Sequence, residues 1–389
     1  MIDQFFFQLQ TKLFYGIGYS KNLGRMIKDN KYRNVAILVD EGVFRTLPYY
    51  QGIQDVIEKA AARLHIEVLR GTEEPDYGYL DEITDKVRNI DTIDVIVGIG
   101  GGSCLDITKA VAVLKTNHGK GIEYRGFDKV ITPGVPTIAI PTTAGTGSEV
   151  TNNAVFTDKK EMKKLGINGR FMNASYAILD GEWTMSCPES VAVSSGMDAL
   201  VHSLESFMCN KANPLTRTFS KAAFKRLYKA LPSIVDDPLN KQKRQELLLG
   251  SYFAAIALFN SGSGIAGALS YPIGVHFKVP HGIGGGIFLP SVIEFNVERG
   301  YGDYAELFDL IEPGSKMPVK EKAIRFSHLL KARSAKLGVP EYLDQWGITK
   351  KNVGEVSKLM LPLQAAFDQN PVPFSADHDA YEMLARHVK

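Results

Sequence analysis

The chain is poor in cysteine. Its 389 residues carry only Cys104, Cys187 and Cys209, widely spaced and without a C-x-x-C pair. A disulfide framework and a cysteine-built zinc ribbon are thereby excluded, and a reducing, cytoplasmic location is the expectation. An excess of charge of one sign is also missing: 45 Lys plus Arg face 43 Asp plus Glu, for a formal net charge of +2. No basic block interleaves with aromatics, so nucleic acid is not an expected partner. No uninterrupted apolar run reaches spanning length, so a membrane is not expected either. The FFF near the N terminus follows Asp3 and Gln4 rather than a cationic leader, and no small-residue cleavage site comes after it, so it does not read as a secretory signal. Internal repeats and low-complexity segments are absent from the sequence as well.

What is present divides near residue 188. Before it, β-branched runs at 34–40, 65–70, 92–100 and 137–143 alternate with helix-like stretches such as YLDEITDKVRNI and SCLDITKAVAVLKT. That alternation predicts a doubly wound, parallel α/β domain over 1–187. After Cys187-Pro188, long helical periodicities take over, as in PESVAVSSGMDALVHSLESFM and PVKEKAIRFSHLLKARSAKLG. They predict an all-α domain over 188–389, with a ligand cleft between the two halves.

Three segments carry chemistry. Asp198 and His202 stand four apart in an apolar run, so on a helix they share one face. The spacing suits a metal or an acid/base pair; a capping aspartate beside a core histidine is the other reading. Far downstream, VPHGIGGG places His281 in what reads as a glycine-rich turn, from which a third ligand could reach the same point. In VIVGIGGGSCLDITKAVA, Gly98, Gly100, Gly101, Gly102 and Ser103 stand between a buried strand and a helix, where backbone N–H groups can approach a diphosphate. A second loop, IPTTAGTGSEV, follows the next strand with Thr142, Thr143 and Ser148, and two such loops would bracket a dinucleotide. Asp40 ends the first strand, where a carboxylate either bonds a ribose diol, favouring NAD, or simply closes a turn.

Taken in order, GGGSCLDITKAVA, IPTTAGTGSEVT, GMDALVHSLES and VPHGIGGGIFLPSVIEFN resemble the iron-containing (group III) alcohol dehydrogenase family over most of the chain. The resemblance implies a dehydroquinate synthase-like fold with a dinucleotide domain and a helical metal-binding domain. It also implies hydride transfer between NAD(P) and an alcohol or aldehyde, a divalent cation (zinc or iron), and a homodimer or larger homo-oligomer. Asp198, His202 and His281 match family metal ligands, and Lys164 matches a lysine near the cofactor. The remaining histidine ligand falls on Gly267, and a further histidine linked to proton relay falls on Tyr271. A three-ligand centre, substitution by His276, and NAD binding with an impaired metal site therefore stand side by side. The segments at 123–128 and 163–169 resemble the 3-deoxy-manno-octulosonate 8-oxidase branch, which points to the primary alcohol of a polyhydroxylated sugar. An NAD-using lyase of the dehydroquinate synthase type is the alternative chemistry.

Overall fold

The computed structural model describes residues 4–71 and 75–389; Asp3, cited above against a secretory leader, lies outside them. The chain forms two compact units, which are described separately.

The first unit comprises Leu9–Pro188 together with Leu239–Leu248. Its strands are β1 (Lys12–Tyr15), β2 (Asn34–Asp40), β3 (Arg63–Leu69), β4 (Val95–Gly100), β5 (Gly126–Phe127), β6 (Thr137–Pro141), β7 (Asn153–Asp158), β8 (Lys163–Asn168) and β9 (Tyr176–Leu179). Six of them form one sheet in the order β1-β9-β6-β4-β2-β3, with every pairing parallel. A parallel sheet needs cover on both faces, and the alternation along β2 supplies it. Val35, Ile37 and Val39 enter one core with Val95, Val97 and Ile99, while Ala36 and Leu38 enter the other with Ile96 and Val111. The chain runs from β2 outward to β3 and then back across to β4. This order makes a topological switch point between β2 and β4, and a ligand crevice belongs at their carboxyl ends. Asp40 and Gly100 terminate those two strands. A second sheet, β5-β8-β7, pairs β8 parallel to β5 and antiparallel to β7.

The second unit groups the chain up to Gln8 with Glu189–Pro238 and Leu249–Lys389, and among the described residues it contains helices and no strand. The Glu189–Met208 helix packs against Pro214–Ala230 and His281–Glu298, and the latter packs against Ile265–Phe277 and Val319–Lys336.

The units thus differ from the 1–187 and 188–389 division in two segments, for visible reasons. Gln245 donates to the Leu179 carbonyl and accepts from Gly181 N–H, and Lys241 pairs with Glu182, which ties 239–248 to the end of β9. Asn260 bonds Gln8 at both its N–H and its carbonyl, and Phe7 stacks on Phe219, which ties the N-terminal segment to the helices. No helix among the described residues is long and apolar enough to cross a membrane.

Candidate metal centre and cofactor loops

Within the helical unit, the Glu189–Met208 helix carries Asp198, His202 and Glu205 at i, i+4 and i+7, on one face. Asp198 is buried, and its Oδ1 lies 3.4 Å from His202 Nε2 and 3.6 Å from His281 Nε2. One ligand atom from each of the three residues falls within 4.8 Å of the other two.

His281 is not in a turn. It opens the His281–Glu298 helix directly after Pro280, so the glycines that follow are helical. They are there for close packing. A Cβ at Gly282 would sit 2.9 Å from the backbone nitrogen of Asp198, at Gly285 3.1 Å from Val201, and at Gly286 2.8 Å from Met197. Without those side chains the helix lies directly against the one that bears Asp198 and His202, and this proximity delivers His281 to them. The preceding helix, Ile265–Phe277, stops at Lys278 in the left-handed region (φ 61°), leaving two residues before the new helix begins.

Ser270, fully buried, orients His281. Its hydroxyl donates to the Gly267 carbonyl at 2.6 Å and lies 2.5 Å from His281 Nδ1. With its one proton committed, the hydroxyl accepts from Nδ1–H, which leaves the Nε2 lone pair facing Asp198. Two imidazoles and a carboxylate, one imidazole with its tautomer already set, are a donor set that fits a divalent cation such as zinc or iron.

The other candidates fall as follows. Gly267 lies in the Ile265–Phe277 helix, and its N–H donates to Glu205 Oε1 at 2.8 Å. Tyr271, 39% exposed, packs its ring 4.5 Å from that of His281. His276 is exposed and does not join the Asp198 cluster. Sequence reasoning passed over Glu205 and Ser270. The i+7 spacing from Asp198 was a usable signal for the first; nothing local marks the second. Burial pushes the Glu205 carboxyl up, with the Gly267 N–H and His202 pulling the other way.

In the α/β unit, Gly101 caps the Gly102–Leu114 helix, and Gly100 is required by space: a Cβ there would meet Cys104 at 2.5 Å and Asp40 Cβ at 3.1 Å. Cys104 is a packing residue whose thiol burial pushes well up. A Cβ at Gly102 would meet Thr146, and one at Gly101 would lie 3.4 Å from Thr143 Oγ1, so the two loops adjoin. Ser103 is exposed at the helix start, and Thr142, buried, donates its N–H to the Gly100 carbonyl. Asp40 caps the Glu41–Thr46 helix through Oδ1, accepting from Gly42 and Val43 N–H, and it also borders Gly100. Its turn-closing role is therefore present in the structure.

Ser148 is a tie between elements. Its hydroxyl donates to Asp106 at 2.5 Å, while buried Lys109 donates to the carbonyls of Ser148, Thr151 and Asn153. Buried Glu149 completes the group, its carboxyl pushed up by burial to about 7. Lys164 lies on β8, in the small sheet.

The family model described as iron-containing alcohol dehydrogenase matches residues 10–181, and that for the C-terminal part of the same family matches residues 192–386. The chain belongs to the iron-containing alcohol dehydrogenase family. It is accordingly an oxidoreductase. The sulfoacetaldehyde reductase of Bilophila wadsworthia is 29% identical over 94% of this chain and 95% of its own. The NAD-dependent methanol dehydrogenase of Bacillus methanolicus is 28% identical over 88% and 90%. The sulfoacetaldehyde reductase of Bifidobacterium kashiwanohense, solved in complex with NAD+, superposes with a TM-score of 0.86 over 98% of each chain at 24% identity, a likeness of fold.

Proposed function

We propose that this chain oxidises an alcohol, or reduces the corresponding aldehyde, with NAD as hydride carrier and a divalent cation held by Asp198, His202 and His281. The convergence of those three ligand atoms within 4.8 Å carries the reading. When bound, the cation polarises the substrate oxygen as a Lewis acid, and the nicotinamide carries the hydride. Asp198 contributes the negative charge that offsets the cation. Ser270 keeps Nε2 of His281 unprotonated and so available as a ligand. Tyr271, packed on His281 and reaching solvent, passes the proton between the substrate oxygen and water. Gly100, Gly101, Gly102 and Ser103 take the diphosphate on backbone N–H groups at the start of a helix, and Thr142 and Thr143 wall the nucleotide. Asp40 and Lys164 read the ribose and the cofactor's charge, with Asp40 favouring NAD over NADP.

The substrate class put forward is a primary alcohol on a polyhydroxylated chain, supported by the 123–128 and 163–169 segments. The names of the two relatives add sulfoacetaldehyde and methanol to the panel to be assayed. The test measures zinc and iron bound per chain alongside NADH turnover across that panel. Asp198→Ala is expected to lose the metal and at least ~10²-fold of kcat/KM, in line with the several kcal/mol a Lewis acid supplies. Full turnover in metal-free protein would defeat the proposal.

A further inference from the structure

Two buried polar atoms at the candidate metal centre have no hydrogen-bond partner among the described residues: Nδ1 of His202 and Oε2 of Glu205. They are chemically complementary. If Nε2 of His202 faces Asp198 as a ligand, Nδ1 carries the proton and needs an acceptor, and a buried donor left unpaired is costly. Glu205, one turn further along the same helix face, offers an unused carboxylate oxygen. Its other oxygen is already fixed by the Gly267 N–H, which anchors the side chain without satisfying Oε2. Glycine leaves the carboxylate room: a Cβ at residue 267 would sit 2.8 Å from Oε2, and one at Gly264 would sit 3.0 Å from Glu205 Cγ.

We propose that Glu205 is a positioning residue of the metal centre, accepting a hydrogen bond on Oε2 from Nδ1–H of His202 and thereby fixing His202 as an Nε2 ligand. The bond closes by a rotation of the Glu205 side chain or across one water, and either route sets the same tautomer. Each histidine ligand then has its own orienting group, Ser270 for His281 and Glu205 for His202, and such partners typically govern metal affinity 10- to 100-fold. The absence of a side chain at 267 leaves the carboxylate room for this arrangement.

The inference rests on the metal-centre reading, so the experiment uses zinc binding and imidazole spectroscopy rather than turnover. Zinc titration calorimetry and nitrogen-15 NMR of histidine-labelled protein are run on the full chain and on Glu205→Ala, Glu205→Gln and Glu205→Leu, with His202→Asn assigning the His202 signals. Glu205→Ala should weaken zinc binding about 10- to 100-fold and move the His202 ring signals toward mixed tautomers. Glu205→Gln keeps one acceptor oxygen for two N–H donors, those of Gly267 and His202, and should recover only part of both. Glu205→Leu fills the space without offering an acceptor; it should weaken zinc like Glu205→Ala and serves as the reading if that variant does not fold. Unchanged affinity with unchanged His202 signals in Glu205→Ala or Glu205→Leu overturns the proposal alone. Failure of the parent protein to bind either zinc or ferrous iron overturns the metal-centre reading and this inference with it.

Discussion

The candidate sites of the two units use glycine and polar groups in opposite ways. In the α/β unit, Gly100, Gly101 and Gly102 keep a loop slim at strand ends, and the polar side chains behind it are bonded to one another through Asp106, Lys109 and Ser148. In the helical unit, Gly282, Gly285 and Gly286 bring two helices together, and polar atoms of His202 and Glu205 are left without partners. The first arrangement is self-satisfied, as suits a scaffold whose backbone receives a ligand. The second gathers ligand atoms and leaves His202 Nδ1 and Glu205 Oε2 open, as would suit the proposed cation.

The largest effect that would sharpen the contrast comes from the helix contact. Gly282→Ala puts a methyl group against the backbone around Ser194 and Asp198, where no side-chain rotation gives relief. A loss of about 3 kcal/mol in denaturant unfolding is expected, together with loss of zinc binding. Unchanged stability would mean that these helices are free to separate, and the glycines would need another explanation.

A smaller effect is expected at Ser270. Replacing it with alanine removes the acceptor for His281 Nδ1–H while leaving the ligand itself in place. Zinc affinity should fall about 10- to 100-fold, with thermal stability barely altered. Equal affinity in Ser270→Ala would show that the tautomer is set without the hydroxyl.

The smallest is in the α/β unit and depends on pH. The folded chain holds the Glu149 proton up to about pH 7, whereas a free glutamate loses it near 4.5. Between these values the folded state binds more protons, so stability from this group is full below about 4.5 and is lost as pH rises through 7. Glu149→Gln should therefore stabilise the chain at pH 8 and leave it nearly unaltered at pH 4. Chemical denaturation at both pH values checks this; a gain of equal size at pH 4 would rule out ionisation as the cause.

The same contrast explains what could be read in advance. The run NVAILVD forms a strand over Asn34–Asp40, and the helical periodicity after Pro188 forms Glu189–Met208, because local pattern and burial agree in both. The GIGGG after His281 suggested a turn, since glycine normally lowers helix propensity; tertiary packing overrode propensity once the missing side chains allowed close helix contact. Asp198, His202 and His281 were visible as residue types at suitable spacing. Ser270 was not, because it acts through a contact eleven residues away that only the fold creates. Glu205 was legible as the i+7 member of the Asp198 face, yet its unpaired oxygen becomes apparent only when Gly267 is seen beside it.

The most direct test is diffraction from crystals of the protein as purified, and again after soaking in zinc, with anomalous data across the zinc and iron edges. The account predicts one anomalous peak bonded to Asp198, His202 Nε2 and His281 Nε2 at about 2.0–2.2 Å. A site that stays empty after soaking, or a peak held by other residues, would contradict it.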